Sequence, residues 1–272
     1  VQAEQYDPEP AINAALTALG FKDFRAGYPW QALHYKGGGV WDWDRSDKWY
    51  AALPAGMRCL CIISPFGPNP PVGADLALYA SFLQQFATRY DVDFEWMNEP
   101  DLPQNWEACF PGWNADWDLD QAHAAYAATV QTIVPLIRAA NPKAKIISGG
   151  TSGVNVDWAT WQIAQGWFAD GTFDGYGVHP YGQNPSTIAE AYNVLFKMLP
   201  TGAMIYTTEW GDADLTQLKA MYAAHQAMGV PYDCWYRLDD NGQQPDDWGI
   251  IDQNDQPVQP AYNDALAINA AL

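Results

Sequence analysis

The chain has 272 residues, enough for one large domain or two small ones, and 49% of them are hydrophobic, so a sizeable core is available. Only 13 Lys and Arg stand against 32 Asp and Glu, a formal net charge of -19 that argues against nucleic acid as a partner. No run reaches the apolar length of a membrane span, and the acidity reads as solubility, an acidic or salty medium being the lesser alternative.

The chain opens at Val1 with neither methionine nor a signal-like segment, as expected of a mature or trimmed form. Val1 to Gln5 is a short candidate strand. Pro8 to Leu19 reads as a helix, with Pro8 and Pro10 in its first turn and Gly20 at its end. Phe21 to Ala26 is a strand with Arg25 near its tip, followed by a turn from Gly27 to Trp30. Gly37 to Asp47 carries glycines, Trp41, Trp43 and aspartates, and is expected to be a surface loop over a site. Asp47 to Leu53 is a short helix. Met57 to Ser64 is the nearly continuous apolar run of a parallel strand buried on both faces.

Pro65 to Pro71 is a loop, Asp75 to Tyr90 a helix and Asp93 to Glu99 the next strand. Pro100 stops that strand, because it cannot donate to a ladder and biases Glu99 away from helical dihedrals. The long loop from Asp101 to Leu119 holds Trp106, Trp113 and Trp117, and loops of this length are usually functional. Asp120 to Ala140 is helical, with Tyr126, Val130, Ile133, Val134 and Ile137 at core-facing spacing and Pro135 predicting a kink or break. Strands at Lys145 to Gly149, Phe173 to His179, Met204 to Glu209 and Tyr232 to Leu238 then alternate with helices. Those helices are Val156 to Ala169, Thr187 to Leu199, Leu215 to Met228 and Gln259 to Ala271.

Alternation of strand and helix argues for a parallel sheet. The length favours an α/β fold of the closed (β/α)8 TIM-barrel type, which typically needs about 250 residues. No linker or composition shift divides the chain, so a single domain over 1–272 is expected. No Gly-x-Gly-x-x-Gly or Walker run follows a strand, which removes the usual nucleotide sites. Cys59 and Cys61 fall on one face of a strand and cannot easily bridge each other; buried free thiols are expected, with a Cys61 or Cys109 bridge left open. Fourteen Trp and fifteen Tyr fit either a large aromatic core or flat rings stacked on pyranose faces in a groove.

In such barrels the site is built at the C-terminal strand tips. Those tips carry Arg25, Ser64, Asn98 and Glu99, His179 with Tyr181, Glu209, and Trp235. Two carboxylic acids facing one another are the equipment of glycoside hydrolysis, provided their environments push their pKa values apart. Arg25 near Glu209 would keep it ionised, and Trp96 and Trp210 could partly desolvate the acid. Glu95 points into the barrel as a buried partner for an arginine rather than a catalyst. A lone glutamate before proline is commonly structural; the pairing of Glu99 and Glu209 with Arg25 and His179 carries the argument. His34, His123 and His225 show no metal-ligand spacing.

Asn98-Glu99-Pro100, His179-Pro180-Tyr181 and Thr208-Glu209-Trp210-Gly211 together resemble clan A of the retaining glycoside hydrolases. Leu19 to Arg25 with Trp30, and Trp248 to Asp252 through Pro260-Ala261-Tyr262, extend the resemblance over nearly all of the chain after residue 8. It is nearest to family 39 and its small polysaccharide-hydrolase relatives, then to families 128 and 5. The resemblance implies Glu99 as acid/base and Glu209 as nucleophile, with Asn98 on the sugar 2-hydroxyl. His179, Tyr181 and Arg25 would orient the nucleophile or hold it ionised. Trp30, Trp106, Trp113, Trp210 and Trp235 are the candidate substrate platforms. The implied activity is retaining hydrolysis of a β-linked polysaccharide or oligosaccharide without a cofactor. The long aromatic loop at 101–119 suggests an open cleft with several subsites and hence endo action, and a secreted or periplasmic monomer is expected. A silent carbohydrate-binding barrel and a transglycosylase are the alternatives.

Overall fold

The computed structural model describes residues 2–3, 10–27, 35–37, 40–63, 74–106, 118–211, 217–235 and 261–270. Strands are numbered in chain order: β1 Gln2–Ala3, β2 Asp23–Gly27, β3 Tyr35–Gly37, β4 Val40–Trp41, β5 Arg58–Ile62, β6 Asp93–Asn98, β7 Ile146–Ser152, β8 Gly175–His179, β9 Met204–Trp210 and β10 Asp233–Trp235. Eight of them form one sheet in the order β1-β2-β5-β6-β7-β8-β9-β10, every neighbour parallel. A helix follows each step, at Pro10–Leu19, Asp44–Ala52, Ala74–Arg89, Leu119–Ala140, Val156–Ala164, Ile188–Met198, Leu218–Ala227 and Ala261–Ala270. This is the (β/α)8 barrel the alternation implies. The first strand is real but short, pairing Gln2 and Ala3 with Arg25 and Ala26.

Two cores stabilise it. Between sheet and helices lie Phe24, Cys59, Cys61, Phe94, Trp96, Tyr176, Val178 and Ile205, with Phe82, Phe86, Tyr126, Val130, Ile133, Val134 and Ile137 facing them. Each such side chain contributes about 1.5–3 kcal/mol on burial. Inside the barrel a smaller plug of Leu60, Ile147, Tyr206, Tyr232 and Cys234 fills the lower half. Gly175 leaves room for it, because a Cβ there would lie 2.4 Å from the Tyr206 ring. Polar groups occupy the upper half, so the plug is the floor of the site.

Local chemistry sets the helix ends. Asp118 accepts from the Gln121 amide and Asn155 from the Trp158 amide, each satisfying an orphan donor of a first turn. Pro135 does not break its helix, which runs on to Ala140 because its apolar stripe packs against the sheet on both sides of the proline. The helix expected over 156–169 stops at Ala164, where Gly166 takes a left-handed φ of 82°.

The described residues of the 37–47 segment are not simply loop. Val40–Trp41 pairs antiparallel with Tyr35–Gly37, and Trp41 and Trp43 pack on Phe82 at centroid distances of 5.0 and 5.5 Å. Cys59, Cys61 and Cys234 are buried free thiols, the first two sharing a face at 3.6 Å. Trp30, Ser64, Cys109, Trp113, Trp117 and the 248–260 stretch lie outside the described residues. No described helix is long and apolar enough to cross a membrane.

Candidate active site

Strand β6 sends Phe94 and Trp96 outward to the helices and Glu95 inward, all buried. Its tip then leaves regular strand geometry. Met97 and Glu99 take φ of 69° and 44°, a left-handed region that costs a non-glycine residue about 1–3 kcal/mol. Gly149 of β7 makes room, since a Cβ there would meet the Trp96 and Met97 carbonyl oxygens at 2.2 and 2.3 Å. Around it β7 carries one residue more than β8: Ser148 pairs with Tyr176 but Thr151 with Val178. The Glu99 amide donates to the Gly150 carbonyl at 2.8 Å, which fixes the strained tip.

Arg25, wholly buried on β2, organises the centre. Its Nε and Nη2 donate to Glu95 Oε2 and Oε1 at 2.5 and 2.9 Å, a two-pronged pair. Nη1 donates to Glu209 Oε2 at 2.6 Å, and Nη2 to Asn98 Oδ1 at 2.8 Å. Glu95 also accepts from the Gly150 amide and the Thr208 hydroxyl. Burial, the largest influence, opposes its charge, but Arg25 and the hydrogen bonds from His179 and Arg25 overcome it and hold the carboxyl at about 2. The same carboxylates push Arg25 upward against its own burial.

His179 ends β8 and is fully buried beneath the tips. Its Nδ1 donates to Glu99 Oε1 at 3.2 Å, and Nε2 lies 3.5 Å from Glu95 Oε1 and 3.3 Å from Arg25 Nη2. Burial opposes a charged ring, yet the field of Glu209 and the hydrogen bonds to Glu95 and Glu99 raise it to about 9. We therefore take His179 as an imidazolium, its approach to Arg25 offset by the carboxylates around both. Gly150 must be glycine here, because a Cβ would lie 2.2 Å from His179 Nε2. Past the Pro180 turn, Tyr181 donates its hydroxyl to Glu209 Oε1 at 2.7 Å.

The raised His179 makes stability depend on pH. A folded value near 9 against an ordinary 6.5 gives a contribution fully present below about pH 6.5 and lost as pH rises through 9. At most it amounts to roughly 3 kcal/mol. Urea unfolding should show the parent weakening across that interval, while His179→Asn lacks that part of the slope. Parallel profiles would refute the charged ring. Glu95 acts at the other end, its contribution present above about 4.5 and lost as pH falls through about 2.

The structure thus brings together Arg25, Glu95, Asn98, Glu99, His179, Tyr181 and Glu209. Among the described residues it does not bring in the candidate tryptophans. Trp96 faces the helices and cannot desolvate Glu99. Trp106 is fully buried and donates Nε1 to the Pro100 carbonyl at 2.8 Å, so it fastens the β6 loop and offers no sugar platform. Trp210 and Trp235 are buried edge to face on each other at 4.7 Å, within the layer between sheet and helices. The cause is a bulge: Thr207 pairs with Asp233 but Trp210 with Trp235, so β9 carries one extra residue. Thr208 and Glu209 consequently both reach the barrel interior, and Trp210 turns out.

The sequence reading missed Gly149, Gly150 and Thr208. A Gly-Gly pair within a strand pattern is the signal that could have flagged the first two. Among the described residues no group of three His, Cys, Asp or Glu side chains converges as a metal site.

No protein-family model and no curated protein matches the chain. Solved structures do. A glucosidase from Croceicoccus marinus superposes with a TM-score of 0.73 at 14% identity, over 99% of this chain and 66% of that one. GH10 from Paenibacillus barcinonensis gives 0.67 at 17%, over 99% and 94%. An exo-β-1,4-mannosidase from Opitutaceae bacterium strain TAV5 gives 0.66 at 15%, over 100% and 58%. The chain therefore spans about two thirds or less of the length of the first and third of these. At such identities the likeness establishes the barrel fold alone.

Proposed function

We propose that the chain is a clan A glycoside hydrolase that cleaves a β-linked polysaccharide or oligosaccharide with retention, Glu99 serving as acid/base and Glu209 as nucleophile. The reading rests on the unequal setting of the two glutamates around one Arg25–His179 pair. Glu209 has both oxygens engaged, by Arg25 and by Tyr181, which orients the group for attack. Glu99 touches no arginine among the described residues, has its Oε1 on His179, and is the most exposed of the site's three glutamates at 20% of its side chain. Such a group can give and take a proton. The glycosidase names of the three barrels above support the substrate class.

In the first step Glu99 gives its proton to the leaving glycosidic oxygen while Glu209 attacks the anomeric carbon, forming an ester as the C–O bond breaks. In the second, Glu99 takes a proton from water, the water oxygen bonds the anomeric carbon, and Glu209 departs as carboxylate. Asn98, with Oδ1 pinned by Arg25, turns its amide donor edge away from that guanidinium, as contact with a sugar 2-hydroxyl requires. Within the clan the proposal takes family 39 as nearest, on the resemblance of the three strand-end motifs, with families 128 and 5 next. Endo action belongs to the proposal as well, although Trp106 no longer supports it.

The test is a panel of β-linked polysaccharides and oligosaccharides, with products resolved by size. Oligosaccharide release supports endo hydrolysis, and monosaccharides alone would make the enzyme exo-acting. Binding without turnover on every substrate would make the barrel a receptor and overturn the reading.

A further inference from the structure

The bulge that delivers Glu209 is clamped from outside by groups to which the reaction gives no part. On its near side the Thr207 hydroxyl meets Tyr192 Oη at 2.7 Å, from the helix Ile188–Met198. On its far side Trp210 donates Nε1 to Asp233 Oδ1 at 2.5 Å, across to β10. The Asp233 side chain is 4% exposed and has His225 Nδ1 3.0 Å away, though off the line of a hydrogen bond. His225 is sandwiched in turn, parallel to Tyr192 at 5.7 Å and edge-on to Trp210 at 5.4 Å.

Two facts set this cluster apart from ordinary packing. A carboxylate is a costly thing to bury, and here Oδ2 is buried with no hydrogen-bond partner while Oδ1 takes the indole. And Trp210 is the residue directly after Glu209, so the peptide that carries the nucleophile is held between the Tyr192 and Asp233 clamps. An extra residue in a strand has no ladder partner to fix it, so its orientation must be imposed by side chains.

Resting on the assignment of Glu209 above, we propose that Asp233 is a positioning residue for the nucleophile, acting through the Trp210 indole to lock the β9 bulge. It touches neither substrate nor reacting atoms. The lock holds Glu209 where Arg25 and Tyr181 both reach it, and displacement of a reacting group by about 1 Å can cost on the order of 100-fold in rate.

The experiment compares Asp233→Leu, Trp210→Phe, the double variant and Asp233→Asn for kcat, KM and thermal midpoint, with crystal structures of the parent and the leucine variant. Expected are a kcat loss of about 10- to 100-fold in Asp233→Leu with KM nearly unchanged, and partial recovery in Asp233→Asn, which keeps an acceptor for the indole. The double variant should be no slower than the slower single one, since both break the same contact. In the leucine variant Glu209 should leave Arg25 or Tyr181. A lowered thermal midpoint with kcat intact, or losses that multiply, would overturn the proposal. So would a Glu209 still at hydrogen-bond distance from both partners. Should the leucine variant not fold, Asp233→Asn and Trp210→Phe are judged by the same criteria. A parent inactive on every substrate would defeat the hydrolase reading instead, and the position of Glu209 in the crystals would then decide the lock by itself.

Discussion

Glu209→Gly should fold and should lose turnover of an aryl β-glycoside by about 10⁴-fold or more, as other enzymes do when a covalent nucleophile is removed. Added azide should restore product of a telling kind. With the carboxylate gone, azide fits beside Arg25 and attacks the anomeric carbon while Glu99 protonates the leaving oxygen. The product is a glycosyl azide of inverted, α configuration. Glu99→Ala should behave differently. Loss of the proton donor slows cleavage of poor leaving groups by about 10²–10⁴-fold, but an aryl glycoside with an acidic phenol still esterifies Glu209. Azide then attacks that ester and leaves as the β-glycosyl azide, configuration retained. The two variants therefore report the two roles separately. An α-azide from Glu99→Ala with a β-azide from Glu209→Gly would exchange the assignments, and full activity in either variant would remove that residue from the chemistry.

Why these two glutamates could be found in the sequence, and the fate of the tryptophans could not, has one physical cause. Glu99 ends an alternating run and Glu209 a β-rich one, and strand ends are marked locally, by Pro100 after one and Gly211 after the other. The same holds for Arg25, His179 and the whole alternation of strands and helices. The direction of a side chain at a strand tip is a different matter, because it depends on register with a neighbour far away in the chain. Regular alternation from Thr208 would have turned Trp210 inward, but the extra residue of β9 against Asp233–Trp235 reverses it. On β10, Cys234 faces the barrel plug and Trp235 the helices, so Trp235 shares the phase of Asp233. Trp106 stood in a loop whose length suggested function, and its indole instead satisfies the Pro100 carbonyl. Bulges are fixed by pairing, and pairing is the part of a sheet that composition and spacing do not reveal.

Glu95→Gln should be the most destabilising single change in the site. Arg25 and Glu95 are wholly buried, and breaking such a pair by removing one charge costs about 3–5 kcal/mol, because the remaining charge is left in low dielectric. Here the cost spreads further, since Glu95 also balances His179 and accepts from Gly150 and Thr208. Arg25→Met should fall in the same range, leaving Glu95 and Glu209 without their cation. The double variant Arg25→Met with Glu95→Leu should recover much of the loss, because well-packed apolar side chains often replace a buried ion pair at little cost in stability. It should nevertheless be inactive: Glu209 loses the guanidinium on Oε2, and Asn98 loses the donor that fixes its amide. Urea unfolding of the four proteins gives the coupling energy, and turnover on the parent's substrate gives the second axis. A double variant as unstable as either single would mean that the pair itself stabilises the barrel. Recovered stability with abolished turnover would mean that the barrel bears a buried arginine because the nucleophile requires one, with Glu95 present to make that arginine tolerable.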